Sequence, residues 1–181
     1  IHEADFELNV LSGENIDINP TLHIHTQIYA ARPDVNCILH THAKCVTALS
    51  AAGENITVLT QSGARLSNEC VLFDEEDGVA LGKEPGSAMA KALSNKSCMV
   101  LKNHGLLTAA STVSAAVILA DTMEKEAEIQ LMAMAAGTLS PPSIDGSKRS
   151  KDYLFNSEMF DRGWTLLLRQ LAARKPEVMT L

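Results

Sequence analysis

Two short apolar runs that each end in histidine constrain this chain more than any other feature. Cys37-Ile38-Leu39 leads into His40-Thr41-His42, and Cys98-Met99-Val100-Leu101 leads into Lys102-Asn103-His104-Gly105. Runs of this length and character fit buried strands. Two strands that deliver imidazoles at their ends predict a sheet with one chemically active edge. Three imidazoles can hold a divalent metal and leave a coordination position open. An isolated His-X-His is common by chance, and His104 at a second strand-to-loop junction is what raises the pattern to a candidate site.

The 181 residues fit one compact domain, expected to span 1–181. The chain opens on Ile1, and an upstream part of the natural protein is expected to be missing. Aromatics make up 4% of residues, so the core must come from Leu, Ile, Val, Ala and Met. A formal net charge of −7 argues against nucleic acid as a partner, since phosphates need a basic patch. The short basic cluster Lys148-Arg149-Ser150-Lys151 reads as a solvated loop. No apolar run reaches the roughly 18 residues of a membrane span, and no signal peptide is evident. Cys37, Cys45, Cys70 and Cys98 form no CxxC pair, which points to a reducing, cytoplasmic compartment.

Helices and short strands alternate along the chain. A strand is expected over Asp5–Leu11, followed by a turn through Glu14. Asn19-Pro20-Thr21 opens a helix to Ala31 with Leu22, His25, Ile28 and Tyr29 on one face, and Pro33 stops it. A strand over Asn36–His40 and a helix over Ala43–Ala52 follow. Strands are expected at Ile56–Thr60, Gly78–Gly82, Cys98–Leu101 and Leu106–Ala109, with a helix at Ser87–Leu93 and no assignment for 61–70. A long helix over Thr112–Ala136 carries an apolar stripe of Val113, Val117, Ala120, Met123, Ala127, Leu131 and Met134. Its Glu124, Glu126 and Glu128 read as a solvated or intersubunit face. Thr138–Lys151 reads as a loop or hinge, and Ser157–Arg174 as a final helix. Several connections are too short for helical crossovers, so a mostly antiparallel or mixed sheet covered by helices is expected. No GxGxxG or Walker motif supports nucleotide binding.

The stretch from His25-Thr26-Gln27-Ile28-Tyr29 through Arg32-Pro33-Asp34 to His40-Thr41-His42 resembles the signature of the class II aldolase/adducin family. Asn103-His104-Gly105 resembles its second signature, and Glu126–Gly137 its long helix. The resemblance implies a three-layer α/β/α sandwich around a mainly antiparallel sheet, assembled as a homotetramer. It also implies a divalent metal, most often zinc, on His40, His42 and His104. The implied activity is that of a lyase on a small hydroxy-carbonyl compound such as a sugar phosphate, through a metal-stabilised enediolate. Alternatives within the family are a catalytically silent, adducin-like scaffold and a metal-dependent decarboxylase.

The sequence departs from the sugar-phosphate aldolases at the acid that moves their proton, because Thr21 stands in its place. The catalytic acid/base is therefore unassigned. His23 and His25 are weak candidates, and Glu14 and Asp17 lie upstream. Gln61 and Ser62 could border the site, and Tyr153 could reach the site of a neighbouring subunit.

Overall fold

The computed structural model describes residues 2–13, 16–74 and 81–180. Among these residues the main sheet has four strands in the order β3-β6-β5-β4, where β3 is Cys37–Thr41, β4 is Cys70–Phe73, β5 is Cys98–Leu101 and β6 is Gly105–Ala110. The β3–β6 and β5–β6 pairs are antiparallel and β4–β5 is parallel. Two short strands, β1 (Glu3–Ala4) and β2 (Val10–Ser12), form a separate antiparallel pair. The helices are α1 (His23–Ala31), α2 (Lys44–Ala51), α3 (Lys83–Leu93), α4 (Val113–Ala136), α5 (Ile144–Leu154) and α6 (Ser157–Arg174).

Strand alternation divides the sheet into two apolar faces. Ile38, Met99, Leu101, Leu107 and Ala109 meet Ile24 and Ile28 of α1 and Met89 and Leu93 of α3. Leu39, Cys98, Val100, Leu106 and Ala110 meet α2 and α4, and Phe160 of α6 joins that cluster. The result is the expected three-layer α/β/α sandwich with a mainly antiparallel sheet.

Local chemistry explains the boundaries. Asn19 accepts from the Thr21 N–H at 3.0 Å and starts a single 3-10 turn, Pro20–Leu22, that feeds α1. At the other end of α1, the Arg32 guanidinium grips both carboxylate oxygens of Asp34 at 2.8 and 2.7 Å. It also donates to the carbonyls of Ser94 and Lys96. The Arg-Pro-Asp motif thus ties the end of α1 to the end of α3. Gly86 lets the two helices meet closely, since a Cβ there would lie 2.6 Å from the His23 carbonyl.

Several expectations need correction. Asp5–Leu11 is not one strand. The Asp5 carboxylate accepts from the N–H groups of Glu7 and Asn9, bending the chain between β1 and β2. Ile56–Thr60 joins no ladder among the described residues, because side chains of α4 take the place of a partner strand. Gln130 Oε1 accepts from Thr57 N–H at 2.7 Å. Glu126 accepts from the N–H groups of Leu59 and Thr60 and from the Thr60 hydroxyl. Glu126 is therefore buried, at 2% exposure, rather than solvated. Only Glu128 of that trio is exposed.

The Thr138–Lys151 stretch contains most of α5, capped by Ser143 on Gly146 N–H. Within it Lys151 pairs with Glu69 at 2.6 Å rather than standing in a solvated loop. The inner face of α1 is Ile24, Thr26 and Ile28, and Leu22 is exposed. On α4, Val113 and Met134 face outward, while Ala116, Leu119, Met123 and Ala127 lie inside. Residues 61–70 hold a 3-10 turn, Ser62–Leu66, and the start of β4. The strand expected at Gly78–Gly82 and the candidate Glu14 fall on or partly on residues outside those described.

Candidate metal centre

The three histidines converge at one end of the pair formed by the edge strand β3 and its neighbour β6. In β3, alternation places Ile38 and His40 on the α1/α3 face, and His40 ends opposite Leu107. Its Nδ1 lies 2.8 Å from the Leu106 carbonyl. A carbonyl can only accept, so Nδ1 carries the proton and Nε2 keeps a free lone pair. His42 follows at the exposed mouth of the strand.

His104 reaches the same place through the tight β5–β6 connection. Asn103 adopts the left-handed region (φ 58°), which asparagine tolerates better than most residues. The His104 N–H then closes onto the Leu101 carbonyl at 3.1 Å. Gly105 permits the final approach, because a Cβ there would sit 2.3 Å from the Thr41 carbonyl oxygen and 3.0 Å from His42 Cα. The Asn-His-Gly motif is thus a device for pressing His104 against the end of β3.

The outcome is compact. His42 Nε2 and His104 Nε2 lie 2.8 Å apart, one ring donating to the other. Ring centroids are 5.2 Å apart for His40–His42, 4.9 Å for His40–His104 and 4.6 Å for His42–His104. One nitrogen from each ring falls within 4.8 Å of the others. Burial, and then the neighbouring rings, hold His104 below the usual histidine range. Burial and His42 do the same to His40, against an opposing pull from the Leu106 carbonyl. Rings that resist protonation keep their lone pairs for other use.

The other sequence candidates scatter. His25 sits half-buried on α1, its pKa lowered by burial and by the charge of His40. His23 turns instead to Thr26, with Nδ1 3.3 Å from its hydroxyl. Thr21 belongs to the 3-10 turn that Asn19 caps. Asp17, Gln61 and Ser62 are exposed, and Tyr153 is 65% exposed on α5. Sequence reasoning overlooked the supports of the His104 turn. Ser50 Oγ accepts from Asn103 N–H at 3.1 Å, and Thr47 Oγ1 donates to the His104 carbonyl at 3.1 Å. Small hydroxyl residues inside an amphipathic helix give no sequence signal of such a role.

Residues 1–131 match the family model of the class II aldolase and adducin N-terminal domain. The chain belongs to the class II aldolase and adducin family. Among curated members of that family, it is 30% identical over 159 residues to a 4-hydroxy-3-prenylphenylpyruvate oxygenase/4-hydroxy-3-prenylbenzoate synthase of Streptomyces roseochromogenus subsp. oscitans. That match covers 88% of this chain and 57% of the relative. It is also 36% identical over 115 residues to the decarboxylase NovR of Streptomyces niveus, covering 64% of this chain and 43% of that protein. The chain thus spans about half the length of these two relatives. Among solved structures, an L-fuculose 1-phosphate aldolase from Glaciozyma antarctica PI12 superposes with a TM-score of 0.80 at 26% identity. The superposition covers 95% of this chain and 68% of that one. The family therefore includes aldolases and decarboxylases as well as adducins, on the fold described above.

Proposed function

We propose that this chain is the metal-binding domain of a divalent-metal-dependent lyase of class II aldolase type, acting on a small hydroxy-carbonyl compound. The observation that carries this reading is the convergence of His40, His42 and His104, one nitrogen of each within 4.8 Å of the others. The donor set suits the group: three imidazoles, one with its tautomer fixed by a backbone carbonyl, are what zinc and related ions take. A bound divalent ion would supply Lewis-acid polarisation of a carbonyl, stabilising negative charge as a neighbouring C–C bond breaks. The chain's own part is to hold the rings. Leu106 orients His40, Gly105 brings His104 to His42, and burial keeps His40 and His104 unprotonated near neutral pH. His25 is the group we assign to proton transfer or substrate contact, because its half-buried ring is electrostatically coupled to His40.

Decarboxylation of a hydroxy- or oxo-acid is the second reading, favoured by a specific residue. Thr21 occupies the place of the aldolase acid, and loss of carbon dioxide breaks a C–C bond without a carboxylate at that position. Association into a homotetramer and a cytoplasmic setting complete the proposal. Four free cysteines support the reducing setting. Metal analysis of the purified protein tests the centre. About one zinc or other divalent ion per chain is expected, with loss on His40→Ala, His42→Ala or His104→Ala. Protein that stays metal-free after incubation with zinc, cobalt and manganese would overturn it. A screen pairing sugar phosphates with oxo-carboxylates then separates aldol cleavage from decarboxylation.

A further inference from the structure

Helix α2 starts two residues after His42, yet its first turn has no cap of its own. Ala43 holds the capping position, and its methyl group accepts no hydrogen bond. The open N–H groups are served from the middle of α4. Both oxygens of Glu124 accept from Cys45 N–H, at 2.9 and 3.0 Å. One of them also accepts from Val46 N–H at 3.0 Å. These are the donors that a local capping side chain would otherwise satisfy, and a carboxylate there also meets the positive end of the helix dipole.

The same short helix supports the other half of the cluster. Thr47 and Ser50 hold the backbone of His104 and Asn103. Helix α2 therefore acts as a bar between the two histidines that touch, joined to His42 by the chain and to His104 by hydroxyls. Whatever fixes the start of the bar fixes the spacing of the two rings.

We propose that Glu124 is a positioning residue of the three-histidine centre, setting the separation of His42 and His104 through its grip on the first turn of α2. The inference rests on the metal-site reading above, and its first test needs no metal. In metal-free protein, imidazole nitrogen–proton correlation spectra of Glu124→Ala should show displaced His42 and His104 resonances, with His23 unmoved. Glu124→Gln keeps one acceptor but turns an amide N–H toward α2, so it should fold and show a smaller displacement. Cobalt titration should give a changed ligand-field spectrum and affinity lower by about 10–100-fold, the usual effect of losing a residue that supports metal ligands. Leu93→Ala, which empties a buried site under α3, serves as the destabilised control, with spectra and cobalt affinity like the parent. If both Glu124 variants melt lower yet keep the parent resonances and cobalt spectrum, Glu124 is only a helix cap and the proposal fails. A parent that binds no cobalt would overturn the metal reading, while the imidazole spectra would still decide the role of Glu124.

Discussion

Replacing Gly105 with alanine should pull the histidine cluster apart. The new Cβ would lie 2.3 Å from the Thr41 carbonyl oxygen, 3.1 Å from its carbon and 3.0 Å from His42 Cα. All three are backbone atoms, so no side chain can swing aside. Ordinary contact begins near 3.4 Å, and relief requires the start of β6 to part from the end of β3 by roughly 1 Å. His104 precedes Gly105 and His42 follows Thr41, so the movement opens the pair now 2.8 Å apart. Metal constellations tolerate only about 0.5 Å of misplacement. Overpacking of this kind costs about 1–3 kcal/mol, and the rigid neighbours put this site near the upper figure. Alanine also stiffens the unfolded chain, which returns only about 0.4–1 kcal/mol. For a chain of this size the balance is a fall in Tm of about 4–8 °C. Zinc competition titration alongside thermal melting should show affinity lost far beyond what Leu93→Ala causes at equal or greater destabilisation. A Gly105→Ala protein with parental zinc affinity would refute the account of the Asn-His-Gly turn.

Glu126→Ala would leave three part-buried donors on Leu59 and Thr60 without their acceptor, at about 1 kcal/mol each, whereas Glu126→Gln keeps an acceptor and should cost far less. Urea unfolding of the two variants measures the difference, and equal losses would contradict the clamp. The metal-free protein should lose stability as pH falls below about 6.5. His25, His40 and His104 have folded pKa values below their ordinary one, so the unfolded chain takes up protons first. Urea midpoints at pH 7.5 and 5.5 should show the fall, and His25→Asn should flatten it.

The candidate site was largely legible in the sequence because its histidines sit at the ends of strongly apolar runs, where periodicity is clearest. The reason for Gly105 was not legible, since it depends on a backbone approached from β3. Ile56–Thr60 read as a strand because β-branched residues favour extended backbone, but sequence does not reveal which groups satisfy that backbone. Glu124 and Glu126 looked solvated because carboxylates on helices usually are, and their partners lie 66 to 79 residues away. Helix α5 was missed because its only buried residue is Ser147, so it has no apolar period to detect. Helix α4 lies among α2, the sheet and α6, and burial on several sides blurs a single stripe.

The clamp on residues 57–60 bears on how the chain acquires its shape. A buried carboxylate is costly until its donors arrive, and the amides of an isolated extended segment are better served by water until the carboxylate arrives. Neither can settle first. Helix α4 and the 57–60 segment should therefore dock in one concerted event, and open together when the native protein fluctuates. Because Glu124 lies on that same helix, each such opening would also release the first turn of α2, so the histidine spacing would last only as long as that closed state.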